Sequence, residues 1–144
     1  MQLDQENEIN KLCALGMQQE GEGKWKDAGR TFEQAWQQAD TYLEKLVAAH
    51  YLARHQTVPE LKLAWNNTAL EVAQKIADEG IRLFYPSLYL NIAKCYEDMG
   101  DHAQAKANYK NAERFAGYLA DDGYGNMIRS GINAGFARTN ADRQ

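Results

Sequence analysis

Cysteine and proline are scarce in this sequence, each occurring twice among 144 residues. The two cysteines, Cys13 and Cys95, lie far apart in the chain, and no neighbouring residue suggests an activated thiolate. We therefore expect two buried, reduced thiols, with a disulfide or a reactive thiol as the alternative. Alanine, glutamine, leucine and asparagine are plentiful, which suits helices with polar outer faces.

Dense runs of basic residues and long apolar runs are also lacking. The net charge is −4 with no dense basic run, which argues against a nucleic-acid partner, because such partners are held largely by Lys and Arg. No stretch approaches the roughly 18 apolar residues of a membrane span, and the polar, acidic start is not that of a signal peptide. We therefore expect a cytoplasmic protein with neither a nucleic-acid nor a membrane partner.

Residue clusters typical of catalytic and metal sites are missing as well. No group of His, Cys, Asp and Glu has metal-ligand spacing, and no nucleophile with a base and an orienting group can be assembled. The glycine-rich segment 121–126 lacks the preceding strand and the lysine of a phosphate-binding loop. The expectation is a protein with no metal, no cofactor and no enzymatic activity.

A helix–turn–helix pattern stands out in residues 86–116. Small residues at Ala93, Ala105 and Ala112 allow two helices to approach closely, and the aromatic residues between them fill the gaps. Gly100 supplies the left-handed conformation that ends the first helix, and Asp101 can cap the second. The pattern itself consists of Tyr89, Ile92, Ala93, Tyr96, Gly100, Ala105, Tyr109 and Ala112.

The same pattern occurs earlier in the chain, and a degenerate copy lies between the two. The first copy has Gly16, Gly23, Ala28, Phe32 and Ala35 where the later one has Ala93, Gly100, Ala105, Tyr109 and Ala112. The middle copy has no turn glycine, and the segments 41–44 and 57–60 predict capping boxes at its two helices. Gly23 and Gly100 are farther apart than two 34-residue periods, which predicts an insertion at about 78–85.

A seventh helix is predicted after the last copy, because Tyr124, Ile128, Ile132 and Phe136 fall four residues apart on one stripe. Three glycines interrupt it, and helices tolerate glycine where it permits close packing. We expect this helix, at about 122–138, to pack on the preceding pair and cover its open end.

These motifs resemble the tetratricopeptide repeat family over about 15–116. The resemblance implies an all-α fold, a right-handed α-solenoid of three helical hairpins at about 4–39, 41–79 and 84–119 with a capping helix, in a single domain 1–144. In that family the first helix of each hairpin lines a concave face that binds an extended peptide or a helix. A subfamily that grips chaperone tails needs cations and amides at five positions, which match Cys13, Met17, Val47, Ser87 and Asn91. None of the five carries the required group, since Asn91 stands where an arginine is needed. This activity is therefore not expected.

Aligning the inner helices predicts a binding site for an unidentified protein or peptide. The predicted contacts are Met17, His50, Arg54, Leu90, Asn91, Lys94 and Glu97. They combine apolar and charged side chains, which suits a partner that carries both. The alternative is that they are ordinary half-buried or solvated side chains, and a histidine such as His50 is often a packing residue. His55 is five residues from His50 and is expected to point elsewhere.

Two other functions stay open from the sequence. His50, Tyr89 and Asn91, together with Tyr124 and Arg129, could serve a small-molecule-binding or catalytic protein. The apolar residues in 81–84 could instead join two copies of the chain into a homo-oligomer.

Overall fold

The computed structural model describes residues 4–141, and in that range the chain forms α-helices, two short 3-10 segments and no strand. The α-helices are α1 (Glu8–Gly21), α2 (Trp25–Gln38), α3 (Tyr42–His55), α4 (Pro59–Ala73), α5 (Tyr85–Asp98), α6 (His102–Phe115) and α7 (Gly123–Ala141). The 3-10 segments are Glu79–Leu83 and Ala116–Tyr118. The prediction of an all-α fold with three helical hairpins and a seventh helix is confirmed.

The described residues divide into two compact units. The first unit ends at Ala77 and contains α1 to α4, and the second begins at Asp78 and contains α5 to α7. The insertion predicted at about 78–85 corresponds to the first 3-10 segment, where Ile81 is buried and Leu83 is exposed. That residues 1–144 form a single domain stays a prediction.

The turns of the first and third hairpins are formed by the predicted glycines. Gly23 has a φ of 79° and Gly100 a φ of 82°, in the left-handed region where an L side chain is strained. After Gly100, the carboxylate of Asp101 accepts a hydrogen bond from the backbone N–H of Gln104, so the predicted cap of α6 is present. These residues set the short connection that makes each helix pair antiparallel.

One of the two predicted capping boxes forms and the other does not. Thr41 and Glu44 cap α3 reciprocally, as predicted. The box predicted at 57–60 is wrong, because α4 begins at Pro59 with Val58 as its N-cap and no side-chain cap. Pro59 is fixed in a helical φ and starts the helix itself, which places Glu60 one position too early for a capping box.

The core of the first hairpin is centred on Phe32, which is fully buried between Ala28 of its own helix and Leu52 of α3. Gly16 of α1 lies directly against it, since a Cβ at that position would be 2.3 Å from the ring. The aromatic residue of α2 therefore takes the space that the small residue of α1 leaves, as the sequence pattern predicted.

The second unit has the equivalent arrangement and adds α7 to it. Tyr109 of α6 is fully buried, and Gly135 of α7 lies so close that a Cβ there would be 2.2 Å from the ring. Ile128 and Ile132 of α7 are buried with Ala112 of α6. The prediction that α7 packs on the last hairpin is confirmed.

Both cysteines are buried, and neither forms a disulfide. Burial raises the pKa of Cys13 to about 11, so at neutral pH almost none of it is the reactive thiolate. No helix in the described range 4–141 has the length and apolar character needed to cross a bilayer.

We expect both thiols to react slowly with a thiol-specific reagent in the native protein. The reason is burial, which excludes the reagent and disfavours the thiolate form. Two reactive thiols per chain should appear at once when the protein is unfolded in denaturant. Native labelling of both thiols at the unfolded rate would contradict the burial, and a mass two hydrogens low would contradict the reduced state.

Candidate functional site

An apolar pocket lies between α1 and α3 in the first unit. We name it the groove pocket; it has a volume of about 500 Å³, and its apolar lining includes Cys13, Met17, Val47 and Tyr51. Polar residues, including Asn10 and Lys11 of α1, also line it. Met17 is 44% exposed, which leaves its side chain accessible to a partner.

The other two predicted contacts of the first unit surround Tyr51. The imidazole of His50 meets the Tyr51 ring edge-on at 5.4 Å between centroids, and the guanidinium of Arg54 lies 5.7 Å from the centre of that ring. Burial lowers the pKa of His50, and the charge of Arg54 lowers it further, so both favour the neutral form of this histidine. The structure therefore brings Met17, His50 and Arg54 to one place, next to the groove pocket.

Glu20 connects this place to a residue that the sequence did not identify as part of a site. One carboxylate oxygen of Glu20 pairs with Arg54, and the other lies 2.8 Å from Nδ1 of His55. His55 is buried, with its ring stacked on Trp25 at 3.9 Å between centroids. Because Glu20 and His55 are 35 positions apart, no local spacing in the sequence indicates this contact.

The predicted contacts of the second unit are only partly available to a partner. Lys94 is exposed and pairs with Asp98 one turn along α5, and Asn91 is half-buried. Leu90 packs against α7, where a Cβ at Gly131 would lie 3.1 Å from its side chain. Lys94 and Asn91 are therefore the more accessible members of this set.

Glu97 is occupied by internal hydrogen bonds. Its carboxylate accepts from the Tyr109 hydroxyl at 2.7 Å and from Nε of Arg138 on α7, also at 2.7 Å. Burial acts to raise the pKa of Glu97, but the hydrogen bonds from Arg138 and Tyr109 and the charges of Arg138 and Lys94 outweigh it, and the pKa lies below its usual value. The charge of Glu97 is thus matched within the second unit, where it holds α5, α6 and α7 together.

The residues considered for catalysis have structural contacts in the second unit. Tyr89 stacks in parallel on Phe115 with 5.8 Å between ring centroids, and Arg129 donates to the backbone carbonyls of Ala116 and Leu119. Tyr124 is exposed. Among residues 4–141, no group of three or more His, Cys, Asp or Glu side chains is arranged to hold a metal ion.

No family model matches this sequence, and no curated protein matches it. Solved structures do match. PcrH in complex with the chaperone binding region of PopD is 19% identical with a TM-score of 0.64, over 94% of this chain and 93% of that one. PcrH from Pseudomonas aeruginosa is 20% identical with a TM-score of 0.61, over 96% of each chain.

A third similar structure is PcrH in complex with the chaperone binding region of PopB, at 19% identity and a TM-score of 0.53, over 94% of this chain and 99% of that one. At these identities the similarity shows the fold alone. It supports a helical-repeat fold of the tetratricopeptide-like kind, in agreement with the pattern of hairpins in the sequence.

Proposed function

We propose that this chain is a non-enzymatic, cytoplasmic binding protein that holds a segment of a partner polypeptide against its inner helices, in the manner of a chaperone. The observation that carries the proposal is the groove pocket on α1 and α3, with its apolar lining residues and the exposed Met17. Pockets of this size and character accept large apolar side chains. In two of the similar structures PcrH is bound to the chaperone binding region of another protein, which supports a polypeptide as the partner.

We assign different roles in partner binding to the seven predicted contacts. Met17 would provide apolar contact, and Arg54 and Lys94 would provide charge, since their side chains are exposed. Each of these cations pairs with a carboxylate of the same unit, so an acidic group of the partner would have to replace Glu20 or Asp98. His50, Leu90, Asn91 and Glu97 are half-buried and would shape the surface more than hold the partner.

The proposal is tested by placing a photo-reactive benzoylphenylalanine at position 17 and irradiating the protein in cells that express it. We expect covalent capture of a partner polypeptide, with the cross-link mapped by mass spectrometry to one segment of that partner. The control carries the same group at Lys110, which is exposed on α6. Capture from position 110 but not from position 17 would place the partner on another surface.

Once that segment is available as a synthetic peptide, Met17→Glu should weaken its binding by at least about tenfold, because a few central contacts carry most of the affinity. Arg54→Ala and Lys94→Ala should each weaken binding less. Lys94→Ala should change the free energy of unfolding by less than about 0.5 kcal/mol, as is usual for an exposed side chain. Isothermal titration calorimetry and urea unfolding measure the two effects.

The matched control for these variants is Lys110→Ala, which removes an exposed lysine from an outer helix. It should bind the peptide like the unmodified protein. If Lys110→Ala abolished binding while Met17→Glu, Arg54→Ala and Lys94→Ala all bound normally, the assignment of the inner helices would be wrong.

A further inference from the structure

A second pocket lies in the first unit and shares no lining residue with the groove pocket. We name it the tryptophan pocket, because Trp25 of α2 and Trp65 of α4 form its walls; its volume is about 410 Å³. Gly29 and His55 also line it, and Lys26, Arg30 and Glu33 contribute its charged groups. Trp25 is 47% exposed, so a large aromatic surface is open to solvent here.

His55 offers this pocket a ring nitrogen for hydrogen bonding. Its Nδ1 lies 2.8 Å from a carboxylate oxygen of Glu20, and a carboxylate only accepts, so Nδ1 donates this hydrogen bond and is occupied by it. Nε2 is the ring nitrogen that remains for a ligand. A Cβ at Gly29 would lie 3.0 Å from Nε2, and the missing side chain at Gly29 leaves this nitrogen room towards the pocket.

The charges around the pocket favour an anionic group. Two cations, Lys26 and Arg30, line it against one carboxylate, Glu33, although the chain as a whole carries a net charge of −4. Arg30 is 3.5 Å from Asp27, an exposed and therefore weak pair. Lys26 is exposed, so its ammonium group is accessible to a ligand.

We propose that the tryptophan pocket binds a tyrosine side chain of a partner polypeptide in which an acidic residue is next to that tyrosine. The tyrosine ring packs against the indoles of Trp25 and Trp65, where aromatic rings gain from edge-on or offset contact. Its hydroxyl forms a hydrogen bond with Nε2 of His55, and the neighbouring carboxylate pairs with the ammonium group of Lys26. The volume is near the lower end for ligand pockets, which suits one anchored side chain.

The test is an NMR titration of the full-length ¹⁵N-labelled protein with acetylated and amidated tetrapeptides. Gly-Asp-Tyr-Gly should shift the indole N–H signals of Trp25 and Trp65 in a saturable way. Gly-Asp-Phe-Gly, which lacks the hydroxyl, and Gly-Lys-Tyr-Gly, which reverses the charge, should each bind at least fivefold more weakly. Equal affinity for all three peptides, or no saturable shift at millimolar concentration, would overturn the proposal.

Two variants test whether the tetrapeptides bind in the tryptophan pocket. Gly29→Ala puts a methyl group against Nε2 of His55 and should reduce the affinity for Gly-Asp-Tyr-Gly to that for the phenylalanine peptide. Lys26→Ala should remove the preference for Gly-Asp-Tyr-Gly over Gly-Lys-Tyr-Gly. Because Lys26 is exposed, this substitution should leave the fold intact. Circular dichroism verifies that both variants are folded. Unchanged peptide preferences in Lys26→Ala would contradict the proposal even if Gly29→Ala failed to fold.

The tryptophan pocket and the groove pocket are tested independently. Met17→Glu alters the groove pocket alone and should bind Gly-Asp-Tyr-Gly with unchanged affinity. A protein that retains the groove partner but ignores all three tetrapeptides would overturn the assignment of the tryptophan pocket and leave the proposed function standing.

Discussion

Replacing Tyr109 with alanine is expected to lower the free energy of unfolding by about 3–5 kcal/mol, the usual cost of truncating a large buried aromatic residue. The ring is fully buried among α5, α6 and α7, where Ala93, Ala105 and Phe136 pack around it. The structure around a cavity of this kind relaxes only in part, so most of the lost packing is not recovered. Urea unfolding followed by circular dichroism measures the change.

The hydroxyl of Tyr109 contributes separately to this effect. Burial and the hydrogen bond to Glu97 raise its pKa to about 12, so it is protonated and donates to the Glu97 carboxylate. Tyr109→Phe keeps the ring and removes this donor, and it should cost about 1 kcal/mol, since Arg138 still pairs with Glu97. If Tyr109→Ala changed stability by no more than Tyr109→Phe, the ring would not be the packing centre that the structure shows.

The second large effect is expected for Gly135→Ala. The added methyl group would lie 2.2 Å from two carbon atoms of the Tyr109 ring, far inside van der Waals contact. That ring is buried and held by hydrogen bonds to Glu97 and Arg138, so it cannot move aside. Overpacking of a core costs about 1–3 kcal/mol or more, which outweighs the gain of about 1 kcal/mol from replacing glycine inside a helix.

Gly123→Ala is the matched control, because Gly123 belongs to the same helix and a Cβ there would have no neighbour within 4 Å. It should be neutral or slightly stabilising. Thermal unfolding of the two variants side by side gives the comparison. Equal melting temperatures would mean that α7 does not approach α6 as closely as the structure indicates.

The fold could be predicted because its determinants are local. Gly100 and Asp101 end one helix and begin the next within two residues, and the small and aromatic residues that pack a hairpin recur at fixed spacing in each helix pair. The error in the predicted cap of α4 was also local. There the helix starts at the proline itself, which shifted the capping pattern out of register by one residue.

The pairing of charges could not be predicted, because the partners are distant in sequence. Glu97 was predicted to contact a ligand, and nothing near it indicates Arg138, which reaches it from α7, 41 positions along the chain. For His55, the sequence predicted only that it points in a different direction from His50. Its ring stacks on Trp25 and so joins α3 to α2, and no sequence motif relates these two positions. Tertiary packing alone determines these contacts.

Of the residues that line the groove pocket, the sequence predicted one, Met17, as a partner contact. Cys13, Met17 and Val47 were placed on inner helices by aligning the repeats, and they were interpreted as unsuited to gripping a carboxylate tail. In the structure the same three residues line the groove pocket. The shape of that pocket depends on how α1 and α3 pack, which spacing alone does not provide, and binding of a partner there stays a prediction.

The contact between Arg138 and Glu97 also limits where the chain can be shortened. Arg138 donates to both carboxylate oxygens of Glu97, and the next residue, Thr139, is fully buried with its hydroxyl donating to the carbonyl of Gly135. A truncated chain ending before Arg138 would keep most turns of α7. The nearly buried carboxylate of Glu97 would then keep its hydrogen bond from the Tyr109 hydroxyl but lose the positive charge of Arg138. A C-terminal tag or fusion joint therefore belongs beyond Thr139.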